Sequence, residues 1–318
     1  MTHHFDGKKY RNPTLNKQFN PGLGKMFRML TVRRKKWPKQ PVPFSASPQP
    51  IKNVVDQLTI TFVNHATFLI QFPGYNILTD PVWSNRVSPY SWLGPKRYRE
   101  PGIPLEDLPP IDLILLSHNH YDHLDVQTLR NLNHKFSPKV LVSMGNKDLI
   151  QSLGIVDVEE MDWWEDQKVN DHIKITFTPA QHFSARGLWD RYRTLWGSFY
   201  IQHTNQDVYF GADSGYASHF KDIRNRLVAP DIAILGIGAY DPEWFMSPIH
   251  MNPAEAVQAH LDLEARTSIA MHYGTFRLAA ESYDDPIIKL GEAKKRFGVA
   301  ENRFITLKEG FPWSPSPF

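Results

Sequence analysis

"LLSHNHYDHLD" (residues 115–125) puts three histidines and two aspartates into the eight positions from His118 to Asp125, directly behind an apolar run. In a tight loop after a strand, His at i and i+2 point both imidazoles into one space. Asp at i+4 and His at i+5 reach a second point nearby. His118 and His120 therefore suit one metal ion, and Asp122 and His123 a second. Imidazole and carboxylate donors without sulfur suit Zn2+, with Fe or Mn as alternatives. A His-rich surface loop is the plainer reading, but H-x-H-x-D-H is far more specific than a lone His-x-His.

Two ions need further ligands from distant segments, so the strand ends matter. From residue 57 onward, short β-branched and apolar runs recur at 58–63, 67–72, 75–80, 111–118, 139–144, 173–180, 198–203, 207–214, 232–238 and 268–274. Their length and composition predict strands. Helical patterns over 125–136, 252–263 and 286–298 alternate with them, and Asn252-Pro253 with Glu255 marks a helix start. The pattern supports two sheets with helices outside. In such folds ligands gather at strand ends. "LILLSH" runs into His118, "ITFTPAQH" into His182, "VYFGADS" into Asp213, and "IAMHYG" carries His272. Each of His182, Asp213 and His272 alone reads as structural; together at strand ends they read as ligands.

The bulk composition is that of a globular protein of one large domain or two small ones: 318 residues, 41% hydrophobic, 22% charged. With no cysteine, disulfides and thiolate ligands are excluded. No apolar stretch approaches the roughly 20 residues that span a bilayer. "MTHHFDGKKYRNP" at the start has no apolar core of a secretory signal. The expected location is the cytoplasm, peripheral to a membrane.

The net charge of +3 hides an asymmetry. Residues 1–50 carry eleven Lys or Arg against Asp6 alone, which leaves the other 268 residues net acidic. In "GLGKMFRMLTVRRKKW" (22–37), Leu23, Met26, Phe27 and Leu30 fall on one helical face, with Lys25, Arg28, Arg33, Arg34, Lys35 and Lys36 nearby. That resembles an interfacial helix contacting an anionic membrane. The rival reading packs the face on the body or on a second subunit, a homodimer. "PKQPVPFSASPQP" (38–50) reads as an extended linker, giving a basic arm with Pro-rich linker over 1–50 and the main domain over 51–318. If the arm serves only the membrane, cutting it away spares turnover of a water-soluble substrate. Trp92, Trp163, Trp164, Trp244 and Phe245 are placed in loops that could line an acyl groove.

"SHNHYDHLD" resembles the signature of the metallo-β-lactamase fold, an α/β four-layer αβ/βα sandwich. The blocks "NHATFLIQFPGYNILTDPVWSNRVSPYSWLGPKRYR", "MDWWE", "FTPAQH", "LWGSFYI", "FGADSGY", "IGAYDPEWFM", "HMNPAEAV" and "AMHYGTF" narrow the resemblance to the N-acylphosphatidylethanolamine-hydrolysing phospholipase D group, over about 57–309, with "DGKKYRNP" a weaker echo. The resemblance implies two zinc ions per chain. His118, His120 and His182 hold one, Asp122, His123 and His272 the other, and Asp213 bridges them. Asp80 in "LTDP" matches a carboxylate that orients ligands, and His250 in "SPIHMNP" a histidine lining the active site. Ile249 stands where animal members carry a polar residue. His65 is expected to be structural or to support a ligand, and His3, His4, His134, His172, His203, His219 and His260 to be ordinary.

The implied reaction is hydrolysis of (N-acyl)phosphatidylethanolamine-type phospholipids to phosphatidic acid and (N-acyl)ethanolamine by a metal-bridging hydroxide, with Asp213, His250 and Asp80 serving catalysis. The residues alone fix only hydrolysis of an ester or phosphodiester at a dinuclear centre. Another hydrolase of this fold (a lactonase or a nuclease) and a non-catalytic, metal-dependent membrane-binding protein stay open. No nucleic-acid partner is expected, because no RNA-reading motif is present.

Overall fold

The computed structural model describes residues 4–40, 42 and 56–315; most of the proline-rich stretch lies outside the described residues. The first six strands are β1 (Thr59–Asn64), β2 (Thr67–Phe72), β3 (Tyr75–Thr79), β4 (Leu113–Leu116), β5 (Lys139–Ser143) and β6 (Val158–Met161). They are followed by β7 (Asp166–Lys168), β8 (Ile173–Thr178), β9 (Ser198–His203), β10 (Val208–Phe210), β11 (Ile232–Gly236), β12 (Thr267–Met271) and β13 (Phe304–Ile305). β14 (Pro312–Trp313) returns to the first group. Among the described residues these form two sheets, ordered β14-β1-β2-β3-β4-β5-β6 and β13-β12-β11-β10-β9-β8-β7.

Each sheet is mixed. In the first, β14 to β3 pair antiparallel and β3 to β6 parallel. In the second, β10 to β13 pair parallel and β7 to β10 antiparallel. The period-two alternation of side chains explains the layering. Phe68, Ile70, Leu113 and Leu115 face the second sheet, where they meet residues such as Phe177, Phe199 and Phe210. Their neighbours Leu69, Ile114 and Leu116 face outward, onto Leu129, Leu132 and Ile150. Strands buried on both faces read as continuous apolar runs, which is why β4 is LILL.

The helices are α1 (Leu23–Leu30), α2 (Val126–Phe136), α3 (Lys147–Gln151), α4 (His219–Arg226), α5 (Glu243–Met246), α6 (Pro253–Asp262) and α7 (Asp285–Phe297). α2 and α3 cover the first sheet, and α6 packs on β11 and α7. Asp125, the last residue of the histidine motif, caps α2 by accepting from the Gln127 and Thr128 backbone. Its second oxygen accepts from the Trp83 and Ser84 N–H groups, tying the loop after β3 to the motif. Asn252 and Glu255 form the capping box that starts α6, as their spacing predicts.

No helix among the described residues is long and apolar enough to cross a membrane. The N-terminal segment lies against the body: His4, Tyr10 and Asn12 are buried. Trp37 donates to the Glu281 carbonyl, and Lys35 pairs with Asp285 at 2.9 Å. α1 itself leaves Leu23 90% and Phe27 70% exposed.

Candidate metal centre

Apart from His250, every site residue the sequence selects sits beyond the end of a strand. Asp80 follows β3, His118 to His123 follow β4, His182 follows β8, Asp213 follows β10, and His272 follows β12. Asp80, His272 and Ala212, beside Asp213, all adopt positive φ (32°, 62° and 46°). Non-glycine residues hold such angles only where surrounding structure enforces them, commonly at working sites.

The structure gathers these side chains into two adjoining nests. In the first, His118 Nε2 lies 2.8 Å from His120 Nδ1, which lies 3.2 Å from His182 Nε2. Two nitrogens each about 2.0–2.1 Å from a tetrahedral zinc stand about 3.3 Å apart, so the nest has the size for one ion. The outer nitrogens fix which atom faces inward. Ser117 Oγ donates to Asp80 and so accepts from His118 Nδ1 at 2.9 Å. His182 Nδ1 donates to the Ile249 carbonyl at 2.8 Å. Both Nε2 atoms therefore present lone pairs. Burial pushes the pKa of His118 and His182 well below the usual histidine range and that of His120 down to about 4, outweighing the opposing pull of the Asp213 carboxylate. Neutral imidazole is the ligating form.

The second nest holds Asp122, His123 and His272, and also His65. Asp122 Oδ2 is 3.1 Å from His65 Nε2, 3.5 Å from His272 Nε2 and 3.6 Å from His123 Nε2. His123 Nδ1 faces Asp80 Oδ2 at 2.7 Å. Burial opposes charge on His123 and His272, but the Asp213 and Asp122 carboxylates outweigh it, lifting His123 well above its usual range and His272 to about 9. Against the same burial, positive charge on His123 and its neighbours holds both carboxyls well below theirs.

Asp213 joins the nests. Its Oδ2 is 3.1 Å from His123 Nε2, 3.6 Å from His182 Nε2 and 3.9 Å from His118 Nε2, while Oδ1 is 3.1 Å from His272 Nε2. His123 Nε2, His272 Nε2 and Asp213 Oδ1 are buried and make no hydrogen bond to the protein. Buried polar atoms demand a partner, and converging imidazole and carboxylate atoms are the donor set for divalent cations. The residues fit a pair of metal ions.

His250, between α5 and α6, puts Nδ1 3.9 Å from Asp213 Oδ2, with its ring 5.1 Å from those of His182 and His272. Burial lowers its pKa to about 4. Ile249 is explained by the same geometry. Its backbone carbonyl serves His182, while its side chain is buried with Ala239, Met246 and Ala279. Asp80, completely buried, contacts Ser117 and His123 and so acts on the centre through them.

Sequence reasoning reached His65 only as a structural or ligand-supporting residue and left Asn12 out. His65, in the β1–β2 turn at φ 48°, enters the second nest, which a single histidine in "NHAT" does not announce. Asn12 contacts His182 across 170 positions, and no local pattern signals it. Among the loop aromatics, Trp163 is 7% exposed, packs its ring against His4, donates to the Trp196 carbonyl and forms part of the wall of a cleft it shares with Trp164. Trp164 lines the same cleft with His4, Pro13, Thr14 and His219, and none of the two nests' residues lines it. Trp244 and Phe245 lie on the helical turn α5, and Trp92 is 72% exposed.

The model of the beta-lactamase superfamily domain matches residues 75–273. The chain is 37% identical to "N-acyl-phosphatidylethanolamine-hydrolyzing phospholipase D 1" of Caenorhabditis elegans, across 98% of this chain and 94% of that protein. It is 39% identical to the mitochondrial N-acyl-phosphatidylethanolamine-hydrolyzing phospholipase D of Saccharomyces cerevisiae, across 69% of this chain and 48% of that one. Among solved structures, the diiron beta-hydroxylase CmlA of Streptomyces venezuelae superposes with a TM-score of 0.62 at 20% identity, covering 82% of this chain and 55% of that chain.

Proposed function

Starting from a chain that belongs to the metallo-β-lactamase superfamily, in the family of the nematode phospholipase, and is a metal-dependent hydrolase, we propose that it cleaves the phosphodiester of (N-acyl)phosphatidylethanolamine-type lipids. The products are phosphatidic acid and an (N-acyl)ethanolamine. The observation that carries this reading is Asp213, one carboxylate within reach of both nests.

His118, His120 and His182 would hold one zinc, Asp122, His123 and His272 the other, with Asp213 within reach of both. His65 turns Asp122 by donating to its oxygen. Bound there, the metals supply a water of lowered pKa and charge to steady a phosphoryl oxygen. The chain's residues do the rest. Asp80 fixes His123 directly and His118 through Ser117. His250, beside Asp213, is placed to hold a phosphate oxygen or to pass a proton to the leaving oxygen.

A lipid substrate requires contact with a bilayer, and α1 supplies the surface. The residues after it are clasped by Asp285, Glu281 and Arg277, and Arg28 stacks over Trp244 at 4.4 Å. The helix thus sits fixed beside α5 and presents Leu23, Met26 and Phe27 to solvent, with Lys25, Arg33, Arg34 and Lys36 exposed around them. The side chain of Leu30 lies outside the described residues. Apolar side chains for the acyl region and basic ones for anionic headgroups are what an interfacial helix needs.

Incubating the purified protein with mixed phospholipid vesicles and identifying products by mass spectrometry tests the proposal. Phosphatidic acid with the matching ethanolamine is expected. Intact vesicles alongside hydrolysed RNA or lactone would overturn it.

A further inference from the structure

His182 differs from the other ligands in how its main chain is supported. His118 lies two residues beyond β4 and His272 directly follows β12, but His182 lies four residues past the end of β8. There the sheet no longer pairs with it. Asn12 takes over, 2% exposed. Asn12 Nδ2 donates to the His182 carbonyl at 2.7 Å, and the His182 N–H donates to Asn12 Oδ1 at 3.2 Å. A side-chain amide thereby makes both bonds that a neighbouring strand would make.

The amide is itself held. The Asn12 N–H donates to Gln18 Oε1 at 2.9 Å, and Gln18 Nε2 donates to the Asn12 carbonyl at 3.0 Å. Two residues earlier, the Tyr10 N–H donates to the Tyr192 carbonyl. Two residues later, Thr14 Oγ1 donates to Gln181 Oε1 at 2.7 Å. The N-terminal segment is therefore a strap across the loop that carries His182. His182 is gripped at its main chain by Asn12 and at Nδ1 by Ile249, and its Nε2 is left facing His120.

We infer that Asn12 is a positioning residue for the metal position formed by His118, His120 and His182. It acts through the His182 backbone and touches neither metal nor substrate. The inference rests on the ligand assignment proposed above. Groups that orient ligands from behind typically contribute about 10- to 100-fold to metal affinity.

The test is zinc titration of the full-length metal-free protein against a chromogenic chelator, comparing wild type with Asn12→Ala and His182→Ala, together with the Tm of each metal-free protein. The expected result is two zinc ions on the wild type and, in Asn12→Ala, one position about 10- to 100-fold weaker and the other unchanged. The metal-free Tm should move little. Where Asn12→Ala does not fold, Asn12→Ser, which keeps one hydroxyl, takes its place with the same expectation. Two positions of wild-type affinity in the Asn12 variant overturn the inference. So does equal weakening of both with a fallen Tm, since that is what a merely structural strap would give. If His182→Ala also binds zinc as wild type does, the ligand assignment itself fails, and the inference with it.

Discussion

Replacing Leu23 and Phe27 together by serine removes the most exposed apolar side chains of α1. Both point into solvent, at 90% and 70% exposure. Little packing is lost, so stability should stay within about 0.5 kcal/mol of wild type. At a bilayer the same side chains would be buried, and each is worth about 1.5–3 kcal/mol when fully taken from water. Discounting for the exposure already lost, the pair contributes about 3 kcal/mol. At 1.4 kcal/mol per decade, vesicle partitioning should fall about 100-fold. Co-sedimentation with anionic vesicles measures this, and thermal melting checks the fold. Wild-type binding should also weaken as salt rises, because the exposed Lys25, Arg33, Arg34 and Lys36 act through screened charge. Unchanged co-sedimentation of the double variant, with an unchanged Tm, would refute α1 as the membrane contact.

His250→Ala should keep full metal content while turnover falls, since His250 lies 3.9 Å from Asp213 yet belongs to neither proposed ligand set; metal loss in elemental analysis would make it a ligand. Asp80→Ala should lower Tm and weaken metal binding about 10- to 100-fold, because it strips the acceptor from His123 Nδ1 and from Ser117. Wild-type affinity in a chelator competition would remove Asp80 from the account.

The parts of this protein readable from sequence are those with local grammar. Ten apolar runs announced β1 to β5 and β8 to β12, because strands buried on both faces need continuous β-branched and aliphatic residues. β7 is Asp-Gln-Lys and β13 only two residues long, so neither carries such a pattern. The histidine motif was legible because its spacing is too dense for chance. Its last aspartate was less so: Asp125 is a helix cap, and capping and ligation use the same carboxylate chemistry.

Contacts made across the chain were invisible. A strongly basic arm ahead of a proline-rich stretch suggests, if it serves only a membrane, a separable unit whose removal spares the chemistry. The structure instead buries Tyr10 and Asn12 against the body, and Asn12 against His182. Cutting away residues 1–37 thus removes a support of the centre along with α1, and turnover of a soluble substrate should fall too. Trp163 and Trp164 line a cleft, but they share it with His4 of the N-terminal segment and with no residue of the two nests, a placement that is again set by contacts across the chain.

Metal content of active protein, purified without added metal, tests the central claim most directly: that Asp213 joins two nests into one dinuclear centre. Elemental analysis should give two metal atoms per chain. Asp213→Asn, which keeps the shape but not the charge of the shared carboxylate, should hold fewer and lose most activity. Active wild-type protein with a metal content near zero would contradict the account.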